Sequence, residues 1–290
     1  MKKALLFEKL ADNFTQCTAC NHYCKIAPNR TGICGVRKNI KGTLYLLVYG
    51  KAVALNVDPI EKKPLYHFMP GTKILSFGTV GCNFKCDFCQ NWDISQVSKS
   101  PTNQIFGQDL PPKKIVEFAI ENKIPSIAYT YNEPAVFFEY ALDTAKLAKK
   151  ANLKNVYVSN GYESPEARHK IAPYLDAINI DLKSYDEFFY KKYCGAKLEP
   201  VLENIIQFHK LAIHIEITTL IISGINDSRK NLMSIAKFIA SVDKKIPWHI
   251  SRFFPAYKML DVKITPEFTL VNAQKIGKIA GLEYVYIGNV

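Results

Sequence analysis

From Lys73 onward the chain alternates short, continuously apolar runs with longer stretches in which apolar residues recur every three or four positions. Residues 74–79, 126–131, 155–159, 177–182, 214–222 and 248–253 read as strands, and 284–287 as a final short one. Between them 112–122, 135–151, 165–174, 187–193, 199–211, 228–241 and 266–280 carry the helical period. Pro112 stands near the first turn of one helix, and Asn226-Asp227-Ser228 offers cap residues to another. Strands alternating with helices predict parallel βαβ units. Six main units point to an α/β fold, a partial (β/α)6 barrel rather than a closed eightfold one. Before Lys73 the periodicity fades. Residues 44–49 and 52–57 flank Gly50-Lys51 as a β-hairpin, and 58–71 is loop-like with Pro59, Pro64 and Pro70. The expected organisation is an N-terminal region, 1–72, followed by a core, 73–290. The aromatic stretch 64–70 either covers the site or packs between the two parts.

Composition changes this picture little. Of 290 residues 48% are hydrophobic and 22% charged, as in ordinary globular chains. No apolar run approaches the roughly 18 residues of a membrane span. The apolar stretch after Lys2-Lys3 is too short for a signal peptide, so a cytoplasmic protein is expected. The net charge of +12 raises nucleic-acid binding as a competing function. The lysines are scattered without a block of like charge, which favours a solvated surface instead.

Eight cysteines without a secretory signal argue against a disulfide framework, and seven of them lie in two groups. Cys82, Cys86 and Cys89 follow the first core strand at C-x3-C-x2-C spacing. Three thiolates on a short loop can hold three irons of a cubane [4Fe–4S] cluster and leave one iron open. A zinc site and inert buried thiols are the competing readings. Cys17, Cys20, Cys24 and Cys34 form the second group, in a segment with too little apolar surface to hold itself together. A bound metal would supply that stability. Zinc comes first and a second iron–sulfur cluster next, since the same ligands suit both. His22, inside this group, reads as a surface or supporting residue, and Cys194, standing alone, as inert.

In barrels of this type the site forms at the C-terminal ends of the strands. Those ends carry Thr130 to Pro134, Ser159 to Tyr162, Asp181 to Ser184, Thr218, and His249, Ser251 and Arg252. Polar groups thus recur where apolar strands stop, as expected of a binding pocket. Glu133 also suits a helix N-terminus, Lys183 an exposed position, and His249 a core position on an apolar strand.

The cysteine spacing, with Phe88 before the last thiol, resembles the signature of the radical S-adenosylmethionine (SAM) superfamily. That resemblance implies a [4Fe–4S] cluster on Cys82, Cys86 and Cys89 whose open iron chelates SAM. Reductive cleavage then yields methionine and a 5′-deoxyadenosyl radical, which abstracts hydrogen from a substrate. The motif order over 73–255 is similar to pyruvate formate-lyase activating enzymes. It implies cofactor-binding roles for Phe88, Asn132, Glu133, Asn160, Asp181, Lys183 and His249. Tyr131 and Asn132 stand where those enzymes carry two glycines, and Val158 where they carry an acid. Over nearly the whole chain, in the four-cysteine start, 58–68, 81–96, 247–257 and the end at 284–290, it resembles the radical SAM member of the AmmeMemoRadiSam group. That implies Memo-like and AMMECR-type partners and a C-terminal cysteine pair beyond Val290. The expected function is radical chemistry on a protein or peptide, with a flavodoxin or ferredoxin as electron donor. A glycyl-radical-enzyme activase is a narrower version, and a metal-stapled nucleic-acid-binding protein without catalysis the alternative.

Overall fold

The computed structural model describes residues 1–100 and 104–290. Eight strands form its main sheet: β1 (Ala54–Pro59), β2 (Lys73–Gly78), β3 (Ser126–Tyr129), β4 (Lys154–Ser159), β5 (Ala177–Asp181), β6 (His214–Ile221), β7 (Trp248–Arg252) and β8 (Val285–Gly288). They lie side by side in chain order, parallel from β2 to β8, with β1 antiparallel at one edge. β1 and β8 are not paired with each other, so the barrel is open. The crossovers are α1 (Pro112–Glu121), α2 (Phe138–Lys150), α3 (Pro165–Ile171), α4 (Glu199–Lys210), α5 (Arg229–Asp243) and α6 (Glu267–Ile279).

The expected six βα units and the last short strand are all present. Central strands such as β3 are buried along their whole length, because helices cover one face and barrel side chains the other. α5 buries one stripe, Leu232, Ile235, Ala236 and Ile239. Ser228 caps α5 by accepting from the Asn231 amide. The expected helix at 187–193 is only one turn, Glu187–Phe189, widening into a π-helical turn at Tyr190–Cys194. Its last carbonyls are spent on the cysteine loop: Lys85 N donates to Cys194 O at 2.9 Å and Asp87 N to Tyr193 O at 3.0 Å.

The hairpin expected across Gly50 does not form. Thr43–Leu46 pairs instead with Arg37–Ile40 and Lys2–Lys3. β1 runs antiparallel to β2, with Ala54 opposite Gly78 and Pro59 opposite Lys73. The main sheet thus includes residues on the N-terminal side of position 72. A buried ion pair helps to fasten the N-terminal region to the barrel. Arg37, 1% exposed, places its guanidinium 2.6 Å from Glu139 of α2. Arg37 Nε also donates to Val136 O, and Leu5 N to Glu139 Oε1.

In the segment between β1 and β2, Lys62 and Lys63 reach the wall beside the cysteine loop, and the aromatic stretch does not. Its residues 64–68 close the opposite, N-terminal end of the barrel. Glu216, fully buried, accepts from Tyr66 N at 3.0 Å, His67 N at 2.8 Å, His214 Nε2 at 2.9 Å and His249 Nε2 at 2.6 Å. Asn179 Nδ2 donates to Pro64 O at 2.8 Å. The Tyr66 ring meets those of His249 and Tyr286. Burial alone would raise the Glu216 carboxyl, but these four donors hold its pKa down to about 2. A carboxylate depressed on folding stabilises above its unfolded pKa, and that contribution fades as pH falls towards the folded value. We expect wild type to exceed Glu216→Gln by roughly 3 kcal/mol at neutral pH, with the gap closing as pH drops below the usual carboxylate range. Urea unfolding of both proteins across that range is the measurement.

Candidate functional site

β2 ends in a loop that carries three thiols into the bowl formed by the strand ends. Gly81 makes this path possible. Its φ is +94°, and a Cβ there would lie 2.5 Å from Val36 Cγ1 and 2.9 Å from Cys34 O. Asn132, after β3, holds the start of the loop. It accepts from Thr79 N at 3.1 Å and donates to Gly81 O at 2.6 Å. Tyr131 adopts φ +67°, a left-handed conformation that glycine takes at less cost. Further along, Asn160 Nδ2 donates to Asn83 Oδ1 at 2.8 Å and His22 Nε2 to Asn83 O at 3.0 Å. Lys258 N bonds Asp87 O, so a loop after β7 also packs on this segment.

One cavity of about 430 Å³ is lined by Cys82, Cys86 and Cys89 together with Phe88, Asn132, Glu133, Asn160, Asp181 and Lys183. Thr130, Ser159, Thr218 and Ser251 complete the wall from the strand ends. Of the cofactor-binding residues expected from the sequence, His249 alone does not line the cavity. It stands one position into β7, two before Ser251, so its ring lies at the level of Glu216 and its Nε2 is bonded there. Lys62 and Lys63 line the cavity although the sequence reading passed over them. Lys63 Nζ lies 3.0 Å from Asp58 and over the Tyr131 ring.

Within this wall Lys183 Nζ pairs with Asp181 at 2.7 Å and sits above the Phe88 ring. Burial opposes its charge, but the Asp181 carboxylate and the neighbouring thiols hold the ammonium well above the usual lysine range. Glu133, 1% exposed, accepts from Ala135 N at 3.1 Å and Asn160 N at 2.8 Å. It therefore does cap the turn before α2, and it faces the cavity as well. Ser159 Oγ lies 3.1 Å from Glu133 and 2.8 Å from Glu163. Burial first, and then the Glu163 charge, push the Glu133 carboxyl well above the usual range. The sequence reading missed Glu163; its only signal was a polar residue four positions after Ser159 at a strand end.

The donor set fits a cluster. Phe84 N donates to Cys82 Sγ at 3.4 Å, and Ser95 Oγ lies 3.2 Å from Cys89 Sγ, so two sulfurs have polar support of the kind thiolates favour. Cys194, expected to be inert, is hydrogen-bonded to the Cys86 thiol and does not line the cavity. That bond and burial raise the Cys86 thiol well above its ordinary value, an effect that bound iron would reverse. Among the described residues no three His, Cys, Asp or Glu side chains converge closely enough for a single metal ion. Three thiols spread along one cavity wall suit a polynuclear group. The other four cysteines line a separate, smaller cavity with Arg37, Ala135 and Val136.

An open parallel sheet with a three-thiol loop at the first parallel strand's end defines an enzyme of the iron–sulfur, partial-barrel class. The comparisons name it more narrowly. The family model of the Radical SAM superfamily matches residues 77–239, and the chain belongs to that family. Its members use a [4Fe–4S] cluster and SAM, and this protein is a radical SAM enzyme. An uncharacterized protein of Methanocaldococcus jannaschii, MJ0808, is 45% identical over 100% of this chain and 86% of its own. The putative glycyl-radical enzyme activating enzyme MJ1632 of the same organism is 28% identical over 68% of this chain and 74% of its own. Among solved structures, a radical SAM methyltransferase from Sphaerobacter thermophilus shares the fold, with a TM-score of 0.60 and 12% identity over 76% of this chain and 67% of that one. Among the described residues no helix is long and apolar enough to cross a membrane.

Proposed function

We propose that this radical SAM enzyme acts on a polypeptide, with SAM held in the cavity of the three-thiol loop. Cys82, Cys86 and Cys89 hold the cluster, which supplies one-electron cleavage of SAM when bound. Lys183, oriented by Asp181, takes the SAM carboxylate by a charge-assisted hydrogen bond. Glu133 offers the acceptor for the SAM amino group, and Phe88 an apolar wall. Asn132 and Asn160 act through the loop they brace, and His249 through the closure of the barrel floor. The four-cysteine segment is a metal site, for zinc or a second cluster.

The observation that carries the polypeptide reading is the rim. Trp92 follows directly on cavity-lining Asn91, is 47% exposed, and stacks on Tyr257 at 5.4 Å. An exposed tryptophan stacked on a half-buried tyrosine beside a polar pocket is a typical anchor for a protein surface. Memo-like and AMMECR-type proteins are the first polypeptides to try. A second reading, activation of a glycyl-radical enzyme, draws on the name of the 28% identical relative. It requires a doublet EPR signal on the partner.

The test is anaerobic reconstitution, reduction with dithionite and assay for 5′-deoxyadenosine. Deuterium from a labelled substrate polypeptide should appear in that product; transfer from none of the candidates, despite SAM cleavage, removes the polypeptide reading. Lys183→Ala should weaken SAM binding at least tenfold, about 1.4 kcal/mol. Unchanged affinity by calorimetry would remove Lys183 from its assigned role.

A further inference from the structure

We propose that the Lys99 ammonium tunes the reduction potential of the cluster on Cys82, Cys86 and Cys89, as a fixed positive charge that favours the reduced state. This rests on the assignment of those three thiols given above. Lys99 does not line the cavity, so it acts on the cluster from outside the SAM pocket.

The first argument concerns position. The cysteine loop is followed by two short turns, Trp92–Ser95 and Val97–Lys99, which fold back onto it. Gly81 N donates to Ile94 O at 2.9 Å, and Lys99 Nζ and Gln96 Nε2 both donate to Phe84 O. Phe84 stands between Cys82 and Cys86 in the chain, and its own amide donates to Cys82 Sγ at 3.4 Å. Lys99 Nζ also donates to Gln96 Oε1 at 2.9 Å. Gln96 Nε2 donates in turn to Ser95 Oγ at 2.9 Å, and Ser95 Oγ lies 3.2 Å from Cys89 Sγ. Having accepted from Gln96, the Ser95 hydroxyl keeps its own proton for that sulfur. A relay of dipoles thus runs from Lys99 through Gln96 and Ser95 to Cys89, each turning its positive end towards the thiol.

The second argument concerns charge. Lys183, Lys63 and Arg37 each pair with a carboxylate, on Asp181, Asp58 and Glu139. Among the described residues no carboxylate lies within ion-pair distance of Lys99, and both its acceptors are neutral amide oxygens. The residue is half-buried. Burial pushes its pKa below the usual lysine range, while charge on Cys82, Cys34, Cys86 and Cys89 pulls it up. All three loop thiols therefore feel its field.

Net charge and hydrogen bonds to the sulfurs are what set the potential of such clusters. Three thiolates make the group net negative, and the reducing electron adds to that charge. A cation without a counter-ion, screened by little water, favours the more negative state. An ammonium already neutralised by an acid would leave much less field at the cluster. The electron comes from an outside low-potential donor, and Lys99 keeps its protons throughout.

The experiment uses the full chain, reconstituted anaerobically, with iron counted first. A sample with added SAM identifies the EPR signal of the three-thiol cluster as the one SAM alters. That signal is then titrated without SAM, using dithionite and redox mediators. At a fixed potential Lys99→Met should lower the ratio of reduced to oxidised cluster at least tenfold, a shift of about 59 mV for one electron. Lys99→Arg keeps the charge and should hold that ratio close to wild type. Iron content should be unchanged in both. A purely structural residue would change iron content or the urea midpoint and leave the potential of the remaining cluster alone. Lys99→Gln covers the case in which Lys99→Met does not keep its iron. It is neutral, can still donate to Phe84 O, and should shift the ratio as Lys99→Met does. An unchanged ratio in a neutral variant that holds its iron overturns the proposal. So does a fall in Lys99→Arg as large as in Lys99→Met. Loss of iron from both neutral variants overturns it too, since Lys99 would then serve only to hold the loop. Failure of the site assignment reads differently, as wild-type protein with no EPR signal that SAM alters.

Discussion

Cys86→Ala is expected to lower SAM cleavage by more than roughly 1000-fold, about 4 kcal/mol of barrier. Cys86 is the most buried of the three thiols, and the turn at Tyr190–Cys194 holds the backbone on either side of it. The Cys82 and Cys89 sulfurs keep their polar neighbours in the variant, but two thiolates are left to hold a cluster that uses three. The loss should therefore appear first as missing iron and a missing EPR signal in the reduced protein, and only then as missing 5′-deoxyadenosine. A variant that keeps its full iron and its activity would show that Cys86 is not a ligand.

Glu139→Ala should cost about 3–5 kcal/mol of stability, the usual penalty for stripping one partner from a buried ion pair. Both side chains are almost wholly enclosed, so no water replaces the lost carboxylate around Arg37. The amide of Leu5 loses its acceptor at the same time. Arg37→Met/Glu139→Leu should recover much of that loss, because an apolar pair leaves no stranded charge in the interior. Anaerobic urea titration of the three proteins decides this. A single variant within 1 kcal/mol of wild type, as exposed pairs commonly give, would mean that the pair does not help to fasten the N-terminal region.

The parallel strands and the three-thiol loop were legible because both are local. Apolar runs such as that of β3 and the spacing of Cys82, Cys86 and Cys89 need no knowledge of distant residues. Strand ends then followed from the barrel rule, which is why Glu133, Asn160, Asp181 and Lys183 do meet in one cavity. What failed was long-range. Gly50-Lys51 is a good local turn signal, yet the partner of Ala54–Pro59 is decided by register against Lys73–Gly78. The core reading of His249 fits its place beside Glu216; depth along a barrel strand depends on where that strand starts, and a shift of two residues moves a side chain from the cavity to the floor. Glu163 left no usable trace, since a buried carboxylate in a turn looks in sequence like a solvated one.

The closed floor has a consequence for traffic. Tyr66 and His67 stop the far end, so the cavity faces outward on the side of the strand ends. Trp92 and Tyr257 stack on each other beside Asn91, at the edge of that opening. A polypeptide could be presented there as a bent loop or a free tip dipped into the cup, and could not be drawn through like a thread.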